Sequence, residues 1–242
     1  MTDISKKIEL ARQMLAKAES TTPEEAEALT AAAEKIILRY GIDEAMLAAS
    51  DPSRQEEMVK DRTLMFEGRY ADARLRSVYS ALEAFGTCYF LRVQSGKSAF
   101  YLEIYGRKSQ VERMVILGAS LDAQAMISLN NWWREERRWH KGISTEHQKF
   151  IARREHLLGF GEGARVRVLS EKKQVQDETP GAALVLANES ALAKEFATKG
   201  VKVSSSRSYR SQDSYSRNQG FEAGRKANVG TTQVTSRKQI GA

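Results

Sequence analysis

The chain contains one cysteine, three histidines and three prolines in 242 residues, and it has no long apolar run. Cys88 alone cannot form a disulfide within the chain, which favours a reducing compartment. His140, His147 and His156 are too widely spaced to share one helical face, so no zinc site is indicated and surface or packing roles are favoured. The first residues lack the apolar core of a secretion signal, and no stretch approaches the ~18 apolar residues of a membrane span. We therefore expect a cytoplasmic protein without a metal or cofactor.

Catalytic motifs are also scarce. Ser95-Gly96-Lys97-Ser98 is similar to the end of a nucleotide-binding P-loop, but Leu91 stands where that motif requires its first glycine. No nucleophile elbow or oxyanion loop accompanies the Glu-His pairs at 146–147 and 155–156. The residues favour a non-enzymatic protein, with an uncharacterised hydrolase or nuclease as the least favoured alternative.

Positive charge is concentrated towards the end of the chain. Residues 1–57 hold 7 Lys and Arg against 12 Asp and Glu, whereas residues 199–242 hold 9 against 2. The net charge of the whole chain is +7. Such asymmetry is typical of proteins with a polyanionic partner, often a nucleic acid, although a solvated surface without function is equally compatible with it.

The first 50 residues are predicted to form a helical hairpin. Apolar residues recur at helical spacing from Ile4 to Ala18 and again from Ala26 to Tyr40. Thr22, Pro23 and Glu25 have the order of a helix N-cap, first helical residue and capping-box acid, and Gly41 suits a helix C-terminus.

These same residues carry a family resemblance. The segments that carry it are Lys7-Ile8, Leu15-Ala16-x-Ala18-x-Ser20, Glu25-Ala26, Ala33 and Tyr40-Gly41-Ile42. Their spacing resembles the N-terminal domain of the domain-of-unknown-function 2786 family, which occurs in bacteria, plasmids and phages and has no established activity. The resemblance implies a phage or mobile-element protein and supplies no mechanism.

Residues 58–242 are predicted to form a second, α+β domain, rich in helices, with a small antiparallel or mixed sheet and long central helices. The alternation of patterns predicts a strand at 58–67, a helix at 70–85, a hairpin around Ser95-Gly96-Lys97 and a largely buried helix at about 144–174. After Pro180-Gly181, the segment AALVLA is predicted to be a short buried strand, followed by a helix ending at Gly200.

The longest predicted helix runs from Ser109 to Lys141. At 100° per residue its apolar side chains form one stripe, and we expect that stripe to face the core: Met114, Leu117, Leu121, Ala125, Leu129, Trp132 and Trp139. Trp133 lies off the stripe. Four cations lie on the opposite side, a row that suits contact with a phosphate backbone: Arg134, Arg137, Arg138 and Lys141. Glu135 and Glu136 dilute this row, so a surface of ion pairs is the alternative.

One short motif occurs twice in the chain, as Gly159-Phe160-x-x-Gly163 and as Gly220-Phe221-x-x-Gly224. Glycines four apart lie on one helix face, and we expect two helices to cross at these glycines in preference to cradling a phosphate. This interpretation requires residues 211–228 to form an ordered helix.

The favoured function is a non-enzymatic, basic, nucleic-acid-associated accessory protein of a phage or other mobile element, acting in the host cytoplasm. The Arg/Ser-rich segment 204–217 and the residues after it extend the predicted phosphate-contacting set beyond the long helix, with Arg207, Arg210, Arg217, Arg225 and Lys226. The alternative is a phage anti-defence protein that binds a host defence protein or sequesters a nucleotide signal. Self-association is compatible with the amphipathic helices, and no membrane partner is indicated.

Overall fold

A computed structural model describes residues 57–96, 98–136, 143–178, 182–199 and 211–229, together with Lys17 and Glu25. Lys17 and Glu25 are both helical, and their side chains form an ion pair of 3.5 Å. The rest of the predicted hairpin lies outside the described residues. The end of the longest predicted helix, including Trp139, also lies outside them.

Eight elements make up the described part of the chain. In order they are β1 (Met58–Glu67), α1 (Ala71–Glu83), β2 (Tyr89–Gln94), β3 (Ala99–Arg107), α2 (Lys108–Glu136), α3 (Glu146–Glu178), α4 (Ala182–Thr198) and α5 (Ser214–Gly224). The predicted α+β class with a small sheet and long helices is confirmed for this region.

The sheet has three strands in the order β1-β3-β2, and both pairings are antiparallel. Gly96 lies in the turn between β2 and β3 with a φ of +82°, a conformation that glycine adopts without a steric cost. The predicted hairpin is therefore confirmed by the described residues on both sides of the turn, and the P-loop resemblance is excluded because a strand follows where a helix would be required.

Helices α1 and α2 cover one face of the sheet. Leu102 and Ile104 of β3 are fully buried beneath them, together with Leu82 of α1. The predicted apolar stripe of α2 is confirmed from Met114 to Leu129, since each of its members is buried, and Trp132 packs partly buried at the core's edge. Successive side chains on β3 point to opposite faces, so Tyr105, next to Ile104, instead meets α4, where its ring lies edge-on to Phe196 at 6.2 Å.

The prediction of a strand at AALVLA was wrong, because α4 begins at Ala182 and continues to Thr198. Alanine and leucine favour helix, and no glycine or proline separates this segment from the helical residues that follow. The run of apolar residues resembled a buried strand only because so short a segment shows no periodicity.

Helix α3 lies between α1 and α5. A Cβ placed on Gly161 would fall inside 3.0 Å of the Ser77 backbone in α1, so the two helices touch backbone to backbone. Leu157, Phe160 and Val168 are buried, whereas Val166 and Leu169 are exposed. The prediction of a largely buried helix is therefore right for the faces that meet the neighbouring helices and wrong for the side that carries Val166 and Leu169.

The glycine crossing is confirmed, and its contacts are reciprocal. A Cβ on Gly159 would overlap the carbonyl oxygen of Arg217, and a Cβ on Gly220 would overlap that of His156. One turn further on, Gly163 faces the carbonyl of Phe221 and Gly224 faces that of Phe160. At these contacts the residue numbers increase in the same direction along both helices, so α3 and α5 run parallel. The matching contacts relate the two helices by an approximate local two-fold axis.

Cys88 is buried beside Gly106, and burial raises the pKa of its thiol to about 12. We expect an aromatic disulfide reagent to label Cys88 only after denaturation, because both access and thiolate are lacking in the native state. Labelling of the native protein on the timescale of a small exposed thiol would contradict this placement.

Candidate nucleic-acid interface

Aromatic and arginine side chains from three elements meet at the C-terminal end of α2. Arg69 and Tyr70 precede α1, Trp133 lies near the end of α2, and Phe150 and Arg153 lie one turn apart in α3. We call these five residues the arginine–aromatic cluster. Arg69 is exposed and the other four are half-buried. The cluster is assembled by the fold, since its members are far apart in the chain.

Each arginine of the cluster lies over a ring. The guanidinium carbon of Arg153 is 4.1 Å from the centre of the Trp133 ring, and that of Arg69 is 5.0 Å from the centre of the Phe150 ring. Phe150 in turn stacks on Tyr70 with 5.4 Å between ring centres and 15° between planes. Arg153 also donates a hydrogen bond of 3.4 Å to the Tyr70 hydroxyl, which joins the two ring–guanidinium pairs. The cluster is thus one continuous arrangement.

The first turn of α3 adds charge of both signs. Glu146 accepts a hydrogen bond of 2.8 Å from Lys149, and this contact lowers the pKa of the Glu146 carboxyl. Arg69 meets Glu146 through the backbone carbonyl, at 3.5 Å. Lys149 balances Glu146, so the charge of the two cluster arginines is not cancelled by this carboxylate. The exposed Glu135, however, lies next to Arg134 in the chain.

A buried histidine supports the cluster from beneath. The His156 ring stacks on Trp132 with 4.5 Å between centres, and its Nε2 lies 3.0 Å from the hydroxyl of Ser128. Its Nδ1 and the Trp132 Nε1 have no hydrogen-bond partner among the described residues. Burial lowers the pKa of His156 to about 4, so the ring is neutral at physiological pH. His156 therefore has the packing role that the sequence favoured, and His147 lies exposed.

The predicted phosphate-contacting residues have different surroundings. Arg134 is exposed at the end of α2, next to the cluster in sequence, and Arg225 and Lys226 are exposed just beyond α5. The remaining predicted cations, apart from Arg217, lie outside the described residues: Arg137, Arg138, Lys141, Arg207 and Arg210.

Arg217 is engaged inside the protein. Its guanidinium forms ion pairs of 2.6 Å with Glu162 and 2.9 Å with the fully buried Glu155. The hydrogen bonds to Glu162, and then to Glu155, raise the pKa of Arg217 despite partial burial. These contacts tie α5 to α3, so we leave Arg217 out of the proposed surface.

The sequence interpretation did not select Arg69, Tyr70, Phe150 or Arg153. Only weak signals were available: an Arg-Tyr pair directly after Gly68, and an aromatic and an arginine three residues apart on one helix face. Neither signal indicates that both pairs converge on Trp133.

Comparison with known proteins confirms the N-terminal resemblance. Residues 11–44 match a family described as "Protein of unknown function (DUF2786)". No curated protein and no solved structure matches the chain.

Two further features bear on the kind of site. Within the described ranges, no group of three or more His, Cys, Asp or Glu side chains is placed to hold a metal ion. None of the helices in the described part of the chain is both long enough and apolar enough to cross a bilayer.

Proposed function

We propose that this protein is a non-enzymatic nucleic-acid-binding accessory protein, and that it binds at the end of α2 through the arginine–aromatic cluster and the cations beside it. The observation that carries the proposal is that two guanidinium groups lie on aromatic rings in one joined cluster, next to the exposed Arg134. Arginine with aromatic side chains is the combination with which proteins neutralise phosphates and stack bases.

The proposed setting rests on separate grounds. The resemblance of the N-terminal residues supports a phage or mobile-element protein, and the single cysteine supports action in the cytoplasm of a host cell. The charge asymmetry of the chain supports a polyanionic partner without specifying it.

Replacing Arg134, Arg137 and Arg138 together by alanine is expected to weaken binding of DNA or RNA at low salt by about tenfold or more. If these arginines contact phosphates, the slope of log affinity against log salt should fall by about one unit for each of them. Fluorescence anisotropy with labelled oligonucleotides across a salt titration measures both quantities.

A matched control removes three exposed lysines and so makes the same change in net charge: Lys173, Lys194 and Lys199. Lys173 lies 20 residues beyond Arg153 along α3, a rise of about 30 Å. The control should retain most of the affinity. Equal losses in both triple variants would show that binding follows net charge alone, and a wild-type chain without affinity at low salt would refute the function.

The alternative function, sequestration of a nucleotide signal in anti-defence, uses the same chemistry. A ring–guanidinium pair can hold a single base as well as a base within a strand. Tight binding of a mononucleotide or a cyclic dinucleotide, without affinity for oligonucleotides, would favour this alternative.

A further inference from the structure

We propose that the arginine–aromatic cluster accepts unpaired bases, so that its preferred ligand is single-stranded nucleic acid and not a duplex. This inference rests on the proposed function and specifies its ligand. It is carried by the geometry of Arg153 on Trp133 and of Arg69 on the stacked Phe150–Tyr70 pair.

A guanidinium that lies on a ring keeps two kinds of surface for a ligand. Its outer face can stack on a base, and its N–H edge can donate to a phosphate or to a base edge. At 4.1 Å from the Trp133 ring, Arg153 is already held in this position before any ligand binds. Little side-chain freedom is then lost on binding, which favours affinity.

The second pair extends the surface. Arg69 is exposed and lies over Phe150, which stacks on Tyr70. The Tyr70 hydroxyl accepts the hydrogen bond from Arg153. The Tyr70 hydroxyl thus links the two guanidinium–ring pairs directly. Neighbouring nucleotides of one strand can occupy two such linked positions.

A duplex cannot use this arrangement. Its bases are stacked on both faces inside the helix and offer only their edges in the grooves. A single strand presents base faces at no cost in base pairing, and stacking on aromatic or arginine planes tolerates every base. We therefore expect a preference for single strands with little sequence preference.

The test uses the full chain and three probes of equal length, about 12 nucleotides. They are a single-stranded oligothymidine, a duplex of mixed sequence, and an abasic strand that retains only sugar and phosphate. At low salt, the oligothymidine should bind about tenfold more tightly than the abasic strand, because stacking adds to the phosphate contacts. Tryptophan emission should change with the oligothymidine and not with the abasic strand.

Substitutions that conserve charge separate stacking from electrostatics. Arg153→Lys and Arg69→Lys keep a cation but remove the planar group. Each should weaken binding of the oligothymidine several-fold and leave affinity for the abasic strand unchanged. Arg62→Lys is the matched control, since Arg62 is an exposed arginine of β1 that pairs with Glu103, outside both the cluster and the predicted phosphate-contacting set.

Circular dichroism checks that each variant is folded, and the exposed Arg69 provides a variant that disturbs little packing. Equal affinity of the wild type for all three probes, with no effect of the lysine substitutions, would overturn the inference and leave nucleic-acid binding standing. Absence of binding to any probe at low salt would overturn both.

Discussion

Replacing Gly220 by alanine should lower the free energy of unfolding by about 3 kcal/mol or more, because the new methyl group has no space. The Cβ would overlap the carbonyl oxygen of His156, which belongs to the backbone of α3. A backbone carbonyl cannot rotate aside as a flexible side chain can. The helices would have to separate along their whole crossing.

The reciprocity of the crossing enlarges this effect. Moving α5 away to accommodate a methyl group at Gly220 also loosens the contacts at Gly159, Gly163 and Gly224, whose neighbours are likewise backbone atoms of the opposite helix. It also stretches the ion pairs of Arg217 with Glu155 and Glu162. The intrinsic preference of alanine for helix, about 1 kcal/mol over glycine, acts in the opposite direction and is too small to compensate.

Chemical denaturation of the full chain measures the change, with Asn218→Ala as the control on the same helix. Asn218 is exposed, and its replacement should alter stability by no more than about 0.5 kcal/mol. A Gly220→Ala protein as stable as the Asn218→Ala protein would mean that α5 does not pack on α3 through its glycines.

The elements that sequence patterns predicted best are those whose signals are local. The apolar stripe of α2 and the β2–β3 hairpin at Gly96 each follow from residues within a few positions of one another. The glycine crossing could be predicted for a different reason. Both helices carry the same Gly-Phe-x-x-Gly motif, and each motif places two glycines on one helix face.

The features that were missed or incomplete depend on distant residues. Arg217 belongs by composition to a basic, serine-rich segment, and its carboxylate partners lie 55 and 62 residues earlier in the chain. The arginine–aromatic cluster likewise requires a turn before α1, the end of α2 and the start of α3 to converge. No pattern within one segment encodes that convergence, so the sequence indicated Trp133 and Arg134 without their neighbours.

Lowering the pH from 7.5 to 5 should cost about 2 kcal/mol of stability through His156 alone. An unfolded histidine has a pKa near 6.5, whereas the pKa of His156 in the folded protein is about 4. Between these two values the unfolded chain binds the additional proton, so the free energy of unfolding falls as the pH falls. The loss begins near pH 6.5 and is complete near pH 4.

The structure gives the reason that His156 resists protonation. Burial of the ring against Trp132 in α2 lowers the pKa, with no acidic side chain stabilising the charged ring. Protonation would also place N–H groups on both ring nitrogens, and the only described partner is the Ser128 hydroxyl at Nε2. The charged ring would thus be both desolvated and short of an acceptor.

Urea denaturation at a series of pH values tests this prediction, with His156→Phe and His147→Gln compared with the wild type. Phenylalanine keeps the stack on Trp132 and cannot titrate, so His156→Phe should lose most of the slope between pH 6.5 and 5. His147 is exposed on the same helix, and His147→Gln shows whether the change in slope is specific to the buried histidine. Carboxylates titrate mainly below this window, near their usual pKa of about 4, so a slope that persisted in His156→Phe would show that His156 is not the buried titrating group. His156→Phe should also leave nucleic-acid binding intact at pH 7.5. The native ring is neutral at that pH, and phenylalanine keeps the stack on Trp132, which lies next to the arginine–aromatic cluster.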